Sequence, residues 1–167
     1  MSIPRTTIDT RPATIDDAAE ITRIYNYYIR LGGVTFDFEE YSVDQVATLL
    51  ERRQDDAWFV ASRGDALLGW ASARQFSDRP GYRYSCETAI YLDEAALGSG
   101  VGNLLQQRIE QHCRDAGIHH AMAKIVADNY RSLAFHYRYG YELVGTQREI
   151  GRVDGKWVDV VILQRLF

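Results

Sequence analysis

The sequence predicts an α/β (α+β) fold in which a mixed central sheet of about seven strands is flanked by about four helices. Three observations lead to this prediction. Residue periods of two and of about 3.6 follow one another in the order β-α-α-β-β-β-α-β-α-β-β. A glycine-rich turn opens directly from a strand into an amphipathic helix. With three prolines and no linker or low-complexity stretch, the chain is expected to form one domain over residues 1–167.

The first elements carry recognisable helix signals. Residues 6–11 alternate in the manner of a short strand. Thr14 precedes acidic residues and is expected to begin a helix, which ends at Gly32. Ser42 and Gln45 have the spacing of a capping box and predict a second, short helix.

Three strands are expected in the middle of the chain. Residues 57–62 and 66–74 flank the turn Arg63-Gly64-Asp65 and predict a hairpin. The segment 77–82 is rich in turn residues and predicts a loop. Residues 84–92 predict a strand, in which neighbouring side chains point to opposite faces.

The C-terminal part is expected to alternate helices and strands before a final hairpin. In order, the expected elements are a helix over 101–116, a strand over 120–127, a helix over 129–139, and strands over 141–150 and 156–165. Gly117 and Gly140 are typical of residues that follow a helix. Asp154-Gly155 is a strong signal for a hairpin turn.

Composition excludes several classes of protein. A net charge of −4 disfavours binding to nucleic acid through the overall field, and no apolar run is long enough to span a membrane. The N-terminus lacks the apolar region of a signal peptide. Cys86 and Cys113 make neither a disulfide framework nor a zinc site, and the histidine pattern predicts no metal. We therefore expect a protein of the reducing cytoplasm.

The segment Leu97-Gly98-Ser99-Gly100-Val101-Gly102-Asn103 is the most informative stretch. Glycines let the backbone approach a ligand closely, and the helix that follows offers unpaired amides that suit a phosphate. A tight β–α turn without a ligand explains the same residues equally well. The segment lacks the Lys-Ser/Thr of a P-loop, and its place after several strands does not fit a Rossmann unit.

Two motifs together resemble the GCN5-related N-acetyltransferase (GNAT) family. Leu97-x-x-Gly100-x-Gly102 is similar to motif A of that family, Gln/Arg-x-x-Gly-x-Gly/Ala, with Leu97 at its first position. Asn129-x-x-Ser132, at the start of a helix that ends at Gly140, is similar to motif B. The resemblance implies the GNAT fold, with acetyl-CoA as cosubstrate. The residues that it places against acetyl-CoA are Ile90, Tyr91, Leu92, Gly98, Ser99, Gly100, Val101, Gly102, Asn103, Asn129, Ser132 and Tyr139.

Shorter motifs resemble the phosphinothricin and methionine sulfoximine acetyltransferase branch. They are Val34-Thr35-Phe36, Gly81-Tyr82-Arg83-Tyr84, Glu87-Thr88-Ala89-Ile90-Tyr91-Leu92 and Gly155-Lys156-Trp157-Val158-Asp159-Val160. The resemblance implies a small-molecule amine substrate. The residues that it places against this amine are Phe36, Ser77, Arg79, Tyr82, Arg83, Thr88 and Ala89.

One departure from the branch concerns the substrate carboxylate. Ser77 stands where the branch often carries an arginine that meets this carboxylate. Guanidinium groups suit carboxylates, so Arg74, Arg79 or Arg83 would substitute for the missing arginine. The alternatives are that all three are surface arginines, or that the substrate has no α-carboxylate.

The resemblance implies two catalytic side chains. Glu87 corresponds to the general base of the branch, which removes a proton from the substrate ammonium before the nitrogen attacks the thioester. His136 corresponds to a histidine on the motif B helix that protonates the leaving thiolate or relays the amine proton. Apart from the resemblance, Glu87 would be a solvated residue on a sheet face, and His136 a packing or surface residue.

Three functions are therefore compared. The first is acetylation of the α-amine of phosphinothricin, methionine sulfoximine or methionine sulfone. The second is acetylation of a protein N-terminus or another amine, and the third is a non-catalytic CoA-binding module. We also expect a homodimer, because the last strand carries Trp157, Val161 and Leu163 on one apolar face.

Overall fold

The computed structural model describes residues 7–51 and 56–167, and its elements follow the order expected from the sequence. The strands are β1 Asp9–Pro12, β2 Ala57–Arg63, β3 Ala66–Gln75, β4 Ser85–Leu92, β5 His120–Val126, β6 Glu142–Val153 and β7 Lys156–Leu166. The helices are α1 Ala18–Leu31, α2 Val43–Glu51, α3 Val101–Asp115 and α4 Tyr130–Arg138. Thr6, placed in the first strand from the sequence, lies outside the described residues.

The described strands form one mixed sheet in the order β1-β2-β3-β4-β5-β7-β6. The prediction of a mixed α/β sheet with helices on both faces is confirmed. The pair β4–β5 is parallel, and the other pairs are antiparallel. The β4–β5 ladder runs only from Ser85–His120 to Glu87–Met122, and beyond it the two strands diverge. This divergence opens the middle of the sheet.

Two apolar layers hold the helices against the sheet. On one face, Ile21 and Ile24 of α1 and Val46 of α2 pack against Val60 and Trp70. On the other face, α3 is buried along one stripe, which packs against β2, β3 and β4. The residues of that stripe are Val101, Leu105, Ile109 and Cys113, all fully buried. Burial of such aliphatic side chains contributes about 1.5–3 kcal/mol each.

Local signals explain where several elements begin and end. The capping box is present, since the Ser42 amide donates to the Gln45 side chain at 2.8 Å and the Gln45 amide to Ser42 Oγ at 3.2 Å. Asp154 and Gly155 both adopt positive φ, at 48° and 77°, as the expected hairpin turn requires. The predicted end of β6 at residue 150 is wrong. The strand continues to Val153 through a bulge between Gln147 and Gly151. A bulge breaks the alternation on which sequence reading depends.

The cysteines are core residues. Cys86 and Cys113 are free and buried, with sulfur atoms 3.9 Å apart. The hydrogen bond with Cys113, and after it burial, raises the pKa of the Cys86 thiol, so the thiol stays protonated. Over the two described ranges, no helix combines the length and apolarity that crossing a membrane needs. The same ranges hold no group of histidine, cysteine and acidic residues arranged for a metal.

Candidate active site

A cleft of about 1580 Å³ occupies the space where β4 and β5 diverge. Its floor is the backbone and side chains of these two strands. One end is bounded by the glycine-rich turn, α3 and α4. The other end is bounded by α1, the loop over residues 34–38 and the hairpin of β6 and β7. We call the first the α3 end and the second the loop end.

The glycine-rich turn presents backbone amides at the α3 end. Gly98 and Gly100 have φ values of 77° and 89°, a region that L side chains rarely adopt. Gly100 is the residue that precedes α3, and no side chain caps the helix there. The amides of Val101 and Gly102 therefore have no intrahelical partner and, at the positive end of the helix dipole, are suited to binding an anion. This arrangement favours a phosphate group over a plain turn.

Close packing and an arginine complete the α3 end. A Cβ on Gly102 would lie 3.4 Å from the Phe135 ring and 3.5 Å from Leu92, so glycine allows α3 to approach α4 and β4. Arg138 donates to the Asn103 side chain at 3.2 Å, which holds its guanidinium beside the start of α3. Arg131 lines the same end. The residues present therefore fit the polyphosphate of a coenzyme.

The free edge of β4 offers backbone groups to an extended ligand. After Glu87, β4 continues to Leu92 while its ladder with β5 has ended. Its opposite edge stays paired to β3 as far as Leu92. Tyr28 donates from its hydroxyl to the Leu92 carbonyl at 2.7 Å and fixes the end of the strand. Such an edge suits an amide-containing chain, because strand edges pair readily with extended groups.

Glu87 lies at the point of divergence and bears the acidic group on the cleft floor. Its carboxylate is 3.0 Å from the ammonium of Lys124 on β5. Arg74 lies directly opposite Glu87 in the β3–β4 ladder and also lines the cleft. Side chains directly opposite in such a ladder share one face of the sheet. The carboxylate thus stands between an arginine and a lysine.

His136 reaches the cleft from α4 and is 7% exposed. Its Nδ1 lies 2.8 Å from the Ser132 carbonyl oxygen, which only accepts, so Nδ1 carries the proton. Burial lowers the pKa of His136, although the hydrogen bond to Ser132 acts in the opposite direction. Near neutral pH the ring is therefore uncharged, with a lone pair on Nε2. In this state His136 accepts a proton more readily than it donates one.

A polar network organises the loop end. The Tyr25 hydroxyl donates to the Asp37 carboxylate and lies 2.9 Å from Thr35 Oγ1. Burial raises the pKa of Tyr25 and, with help from Asp37, raises the pKa of Tyr91 to about 12. The Tyr91 ring stacks on Trp70, with centroids 4.9 Å apart. Both tyrosines are therefore neutral, and they form a rigid aromatic wall with a hydroxyl-lined rim.

Phe36 closes the loop end against the β6–β7 hairpin. A Cβ on Gly151 would lie 2.4 Å from the Phe36 ring, so only glycine fits beneath it. Gly151 follows the β6 bulge, where Glu149 has a φ of 54°. The Glu149 amide donates to the Asp159 carboxylate at 2.7 Å and stabilises this backbone. The bulge thus positions the surface on which the loop rests.

The cleft brings together most of the residues expected from the sequence, but not all. The expected residues that line it are Glu87, His136, Phe36, Thr88, Ala89, Ile90, Tyr91, Leu92, Gly98, Gly100, Gly102, Asn103, Asn129 and Ser132. The expected residues outside its lining are Ser99, Val101, Tyr139, Ser77, Arg79, Tyr82 and Arg83.

Each residue outside the lining has a local role. Val101 is fully buried in the core, and Ser99 donates to the Ala96 carbonyl at 2.5 Å. Tyr139 packs on Phe135 at the end of α4. Tyr82 packs on Phe76. Ser77 accepts from the Arg79 amide at 3.3 Å, and Arg83 donates to the Tyr84 hydroxyl at 2.8 Å.

Thr88 lines the cleft from the other face. It is buried, and its hydroxyl lies 3.2 Å from the Tyr141 hydroxyl. Glu87, its neighbour, points to the opposite side of β4, as the parity of a strand requires. Thr88 therefore supports the α4 side of the cleft, and Ala89 lies on the face of Glu87.

Sequence reasoning missed several cleft residues. Lys124, Asp37 and Arg138 line the cleft and are not singled out by the sequence patterns. Tyr25 and Tyr28, about one turn apart on α1, pack against the core and also line the cleft. Lys124 was the one available signal, because it stands among the apolar residues that follow His120 in β5.

Comparisons with known proteins agree with this geometry. Residues 11–162 match the family model described as an acetyltransferase (GNAT) domain. The chain is 32% identical to a phosphinothricin N-acetyltransferase of Streptomyces coelicolor, over 95% of each chain. It is 31% identical to an L-methionine sulfoximine/L-methionine sulfone acetyltransferase of Pseudomonas paraeruginosa, over 92% of this chain and 91% of that one.

A solved structure is similar over almost the whole fold. It is a GNAT superfamily phosphinothricin acetyltransferase from Sinorhizobium meliloti in complex with acetyl-CoA. The TM-score is 0.91 at 29% identity, with 96% of this chain and 89% of that chain covered. The likeness therefore includes both ends of the cleft.

Proposed function

Because the chain belongs to the GNAT acetyltransferase family, we propose that it transfers the acetyl group of acetyl-CoA to the α-amine of a small amino acid of the phosphinothricin or methionine sulfoximine type. The observation that carries this proposal is the position of Glu87 where β4 leaves β5, between the α3 end and the loop end. A carboxylate there can act on an amine held at one end while the coenzyme occupies the other.

Glu87 is the general base in this proposal. An amino acid arrives with a protonated amine, and the nitrogen attacks only after the proton has left. The carboxylate has two oxygens, of which Oε2 faces Lys124 at 3.0 Å and Oε1 is left to accept the proton, directly or through water. Acetyl-CoA would supply an activated acetyl group when bound, and an amide of the free β4 edge would be placed to polarise the thioester carbonyl.

Arg74 is the residue that we propose for the substrate carboxylate. Of the three arginines considered from the sequence, Arg74 lines the cleft, while Arg79 and Arg83 do not. Arg74 also lies opposite Glu87 in the β3–β4 ladder. The two side chains can therefore bind the α-carboxylate and the α-amine, which are attached to the same carbon of the substrate. This arginine compensates for Ser77, where the branch often carries one.

His136 serves as a proton acceptor or relay. Its neutral ring, with Nδ1 donating to Ser132, presents Nε2 to the cleft. A neutral ring without a proton on Nε2 does not protonate a thiolate until it has first received a proton. Glu87 takes the first amine proton, so we assign to His136 the second one, which leaves the nitrogen once the C–N bond has formed and is passed to the departing thiolate.

Thiol release from acetyl-CoA tests the function. We expect turnover with phosphinothricin, methionine sulfoximine or methionine sulfone, and Glu87→Gln is expected to lower kcat about 10²- to 10⁴-fold. The control is Glu142→Gln, an exposed carboxylate at the start of β6. Preferential turnover of an aminoglycoside, a polyamine or a peptide N-terminus would show that the enzyme acts on that class of amine instead of on a small amino acid. Binding of acetyl-CoA without turnover of any amine would favour the non-catalytic module.

We further propose that the enzyme works in the cytoplasm as a homodimer. Free buried thiols support a reducing compartment. The support for a dimer differs from the sequence argument, because Val161 and Leu163 are covered by the core of the chain itself. Leu143, Val144 and Trp157 are instead more than half exposed on the outer hairpin. Light scattering is expected to give twice the mass of the chain, and Val144→Lys is expected to shift it toward the monomer.

A further inference from the structure

Lys124 enters the proposed chemistry only as the partner of Glu87, and no group of the substrate has yet been assigned to it. It is one of two lysines in the chain, the other being Lys156. Its ammonium lies 3.0 Å from Glu87 Oε2, with the Lys124 side chain 47% exposed and that of Glu87 27% exposed. An ion pair this accessible to water contributes little to stability, because solvent screens it.

The immediate neighbours of Lys124 on its own face of β5 and β7 are apolar. Met122 and Val126 lie on the same face of β5, and Ile162 lies opposite in the β5–β7 ladder. A lysine here places a full charge over an apolar part of the cleft wall. Its long stem covers that surface while the ammonium points toward the open cleft.

The cleft as a whole is positive in an acidic protein. Among the residues that the structure describes, five cations line the cleft against two carboxylates, Glu87 and Asp37, although the net charge of the chain is −4. The five cations are Arg74, Lys124, Arg131, Arg138 and Arg152. Arg131 and Arg138 belong to the α3 end, where phosphates are expected. Asp37 is bound by Tyr25, and Arg152 lies over the Trp157 ring.

Two cations therefore remain beside Glu87. Arg74 stands on β3 and Lys124 on β5, one on each side of the strand that carries Glu87. Adjacent strands are about 4.8 Å apart, so the strands of the two cations are separated by roughly 10 Å or more where β4 and β5 diverge. An amine bound at Glu87 lies between them, with room for one anionic group on each side.

We propose that Lys124 determines specificity by binding an anionic group at the end of the substrate side chain. The preferred acceptors are then amino acids whose side chain ends in a phosphinate or carboxylate, rather than in a neutral sulfone. This inference rests on the proposed function and names the substrate class within it. The α-carboxylate meets Arg74, the α-amine meets Glu87, and the distal anion meets Lys124.

Steady-state kinetics with two acceptors tests the proposal. Phosphinothricin carries an anionic phosphinate, and methionine sulfone carries a neutral sulfone on a chain of similar length. Lys124→Met is expected to lower kcat/KM for phosphinothricin about 10-fold or more, mainly through KM, because an ionic hydrogen bond is lost. Lys124 also pairs with Glu87, so its removal is expected to lower kcat for both acceptors alike, and methionine sulfone should show only this shared loss, without the rise in KM. Lys124→Arg is expected to retain the preference, and Lys156→Met to leave both substrates unchanged.

The outcomes separate this proposal from the function on which it depends. Equal losses for both acceptors, or no loss for phosphinothricin, would overturn the role of Lys124 in specificity and leave the acetyltransferase intact. Failure of the wild-type enzyme to acetylate either acceptor would overturn both. Thermal unfolding of each variant shows that the fold is kept, which the exposed position of Lys124 leads us to expect.

Discussion

The two ends of the cleft present different chemical groups to a ligand. At the α3 end the groups that meet a ligand are backbone amides of a glycine-rich turn and the free edge of β4. At the loop end they are side chains brought from α1, β3, β5 and the β6–β7 hairpin. Backbone amides are present whatever the residue type, so they suit the coenzyme, which is the same for every substrate. Side chains differ between sequences, so the loop end can change with the amine substrate.

The largest expected effect at the α3 end comes from Gly100→Ala. Gly100 has a φ of 89°, and an L side chain in the left-handed region costs about 1–2 kcal/mol. We expect acetyl-CoA to bind roughly 10-fold more weakly by calorimetry, because the amides of the turn lose their alignment. The KM for the amine should change little.

Gly117→Ala is the matched control for that variant. Gly117 has a φ of 69° and lies at the opposite end of α3, outside the lining of the cleft. We expect a similar loss in thermal stability with unchanged acetyl-CoA affinity. Equal weakening of acetyl-CoA binding by both variants would mean that the turn acts through helix stability and not through its amides.

A smaller effect, confined to the loop end, is expected from Gly151→Ala. Its Cβ would lie 2.4 Å from the Phe36 ring, so the ring must move away from the cleft. We expect the KM for the amine to rise roughly 10-fold because the loop no longer rests on the hairpin, while acetyl-CoA affinity is kept. Gly145→Ala in the same strand meets nothing within 4 Å and should be neutral. A loss of acetyl-CoA affinity in Gly151→Ala would contradict the claim that the two ends of the cleft bind coenzyme and amine independently.

The smallest effect is a pH dependence that His136 imposes on stability. Burial lowers the pKa of His136 in the folded chain, whereas the unfolded chain titrates near 6.5. As the pH falls through 6.5, the unfolded state gains a proton that the folded state resists, so folding loses free energy. The unfolding free energy of the wild type should therefore fall relative to that of His136→Gln between pH 7.5 and pH 5.5. A constant difference across this range would contradict the buried neutral ring.

The contrast between the two ends also explains how much the sequence could predict. The turn at Gly98, Gly100 and Gly102 is visible because positive φ and close approach demand glycine at fixed spacing. The order of strands and helices followed from periodicity in the same way. Glu87 could be placed at the site only through the resemblance of its motif to the acetyltransferase branch, since strand parity alone leaves it a solvated residue on a sheet face.

Several contacts at the loop end could not be predicted from the sequence, because the residues that make them are distant in the chain and meet only in the tertiary structure. Lys124 forms an ion pair with Glu87 because β4 and β5 are neighbours in the sheet, and no local sequence pattern predicts that these two strands pair. Arg74 lines the cleft and Arg79 does not, which depends on where β3 ends and the loop begins. The bulge that seats Phe36 on Gly151 was hidden because bulges interrupt the period of a strand.

The central claim is that the cleft joins an independent coenzyme end to an acceptor end whose chemistry depends on Glu87. Glu87→Gln tests it most directly when acetyl-CoA binding and thiol release are measured on the same preparation. We predict an unchanged Kd for acetyl-CoA together with a fall in kcat of about 10²- to 10⁴-fold. Full turnover in this variant, or loss of acetyl-CoA binding along with turnover, would contradict the account.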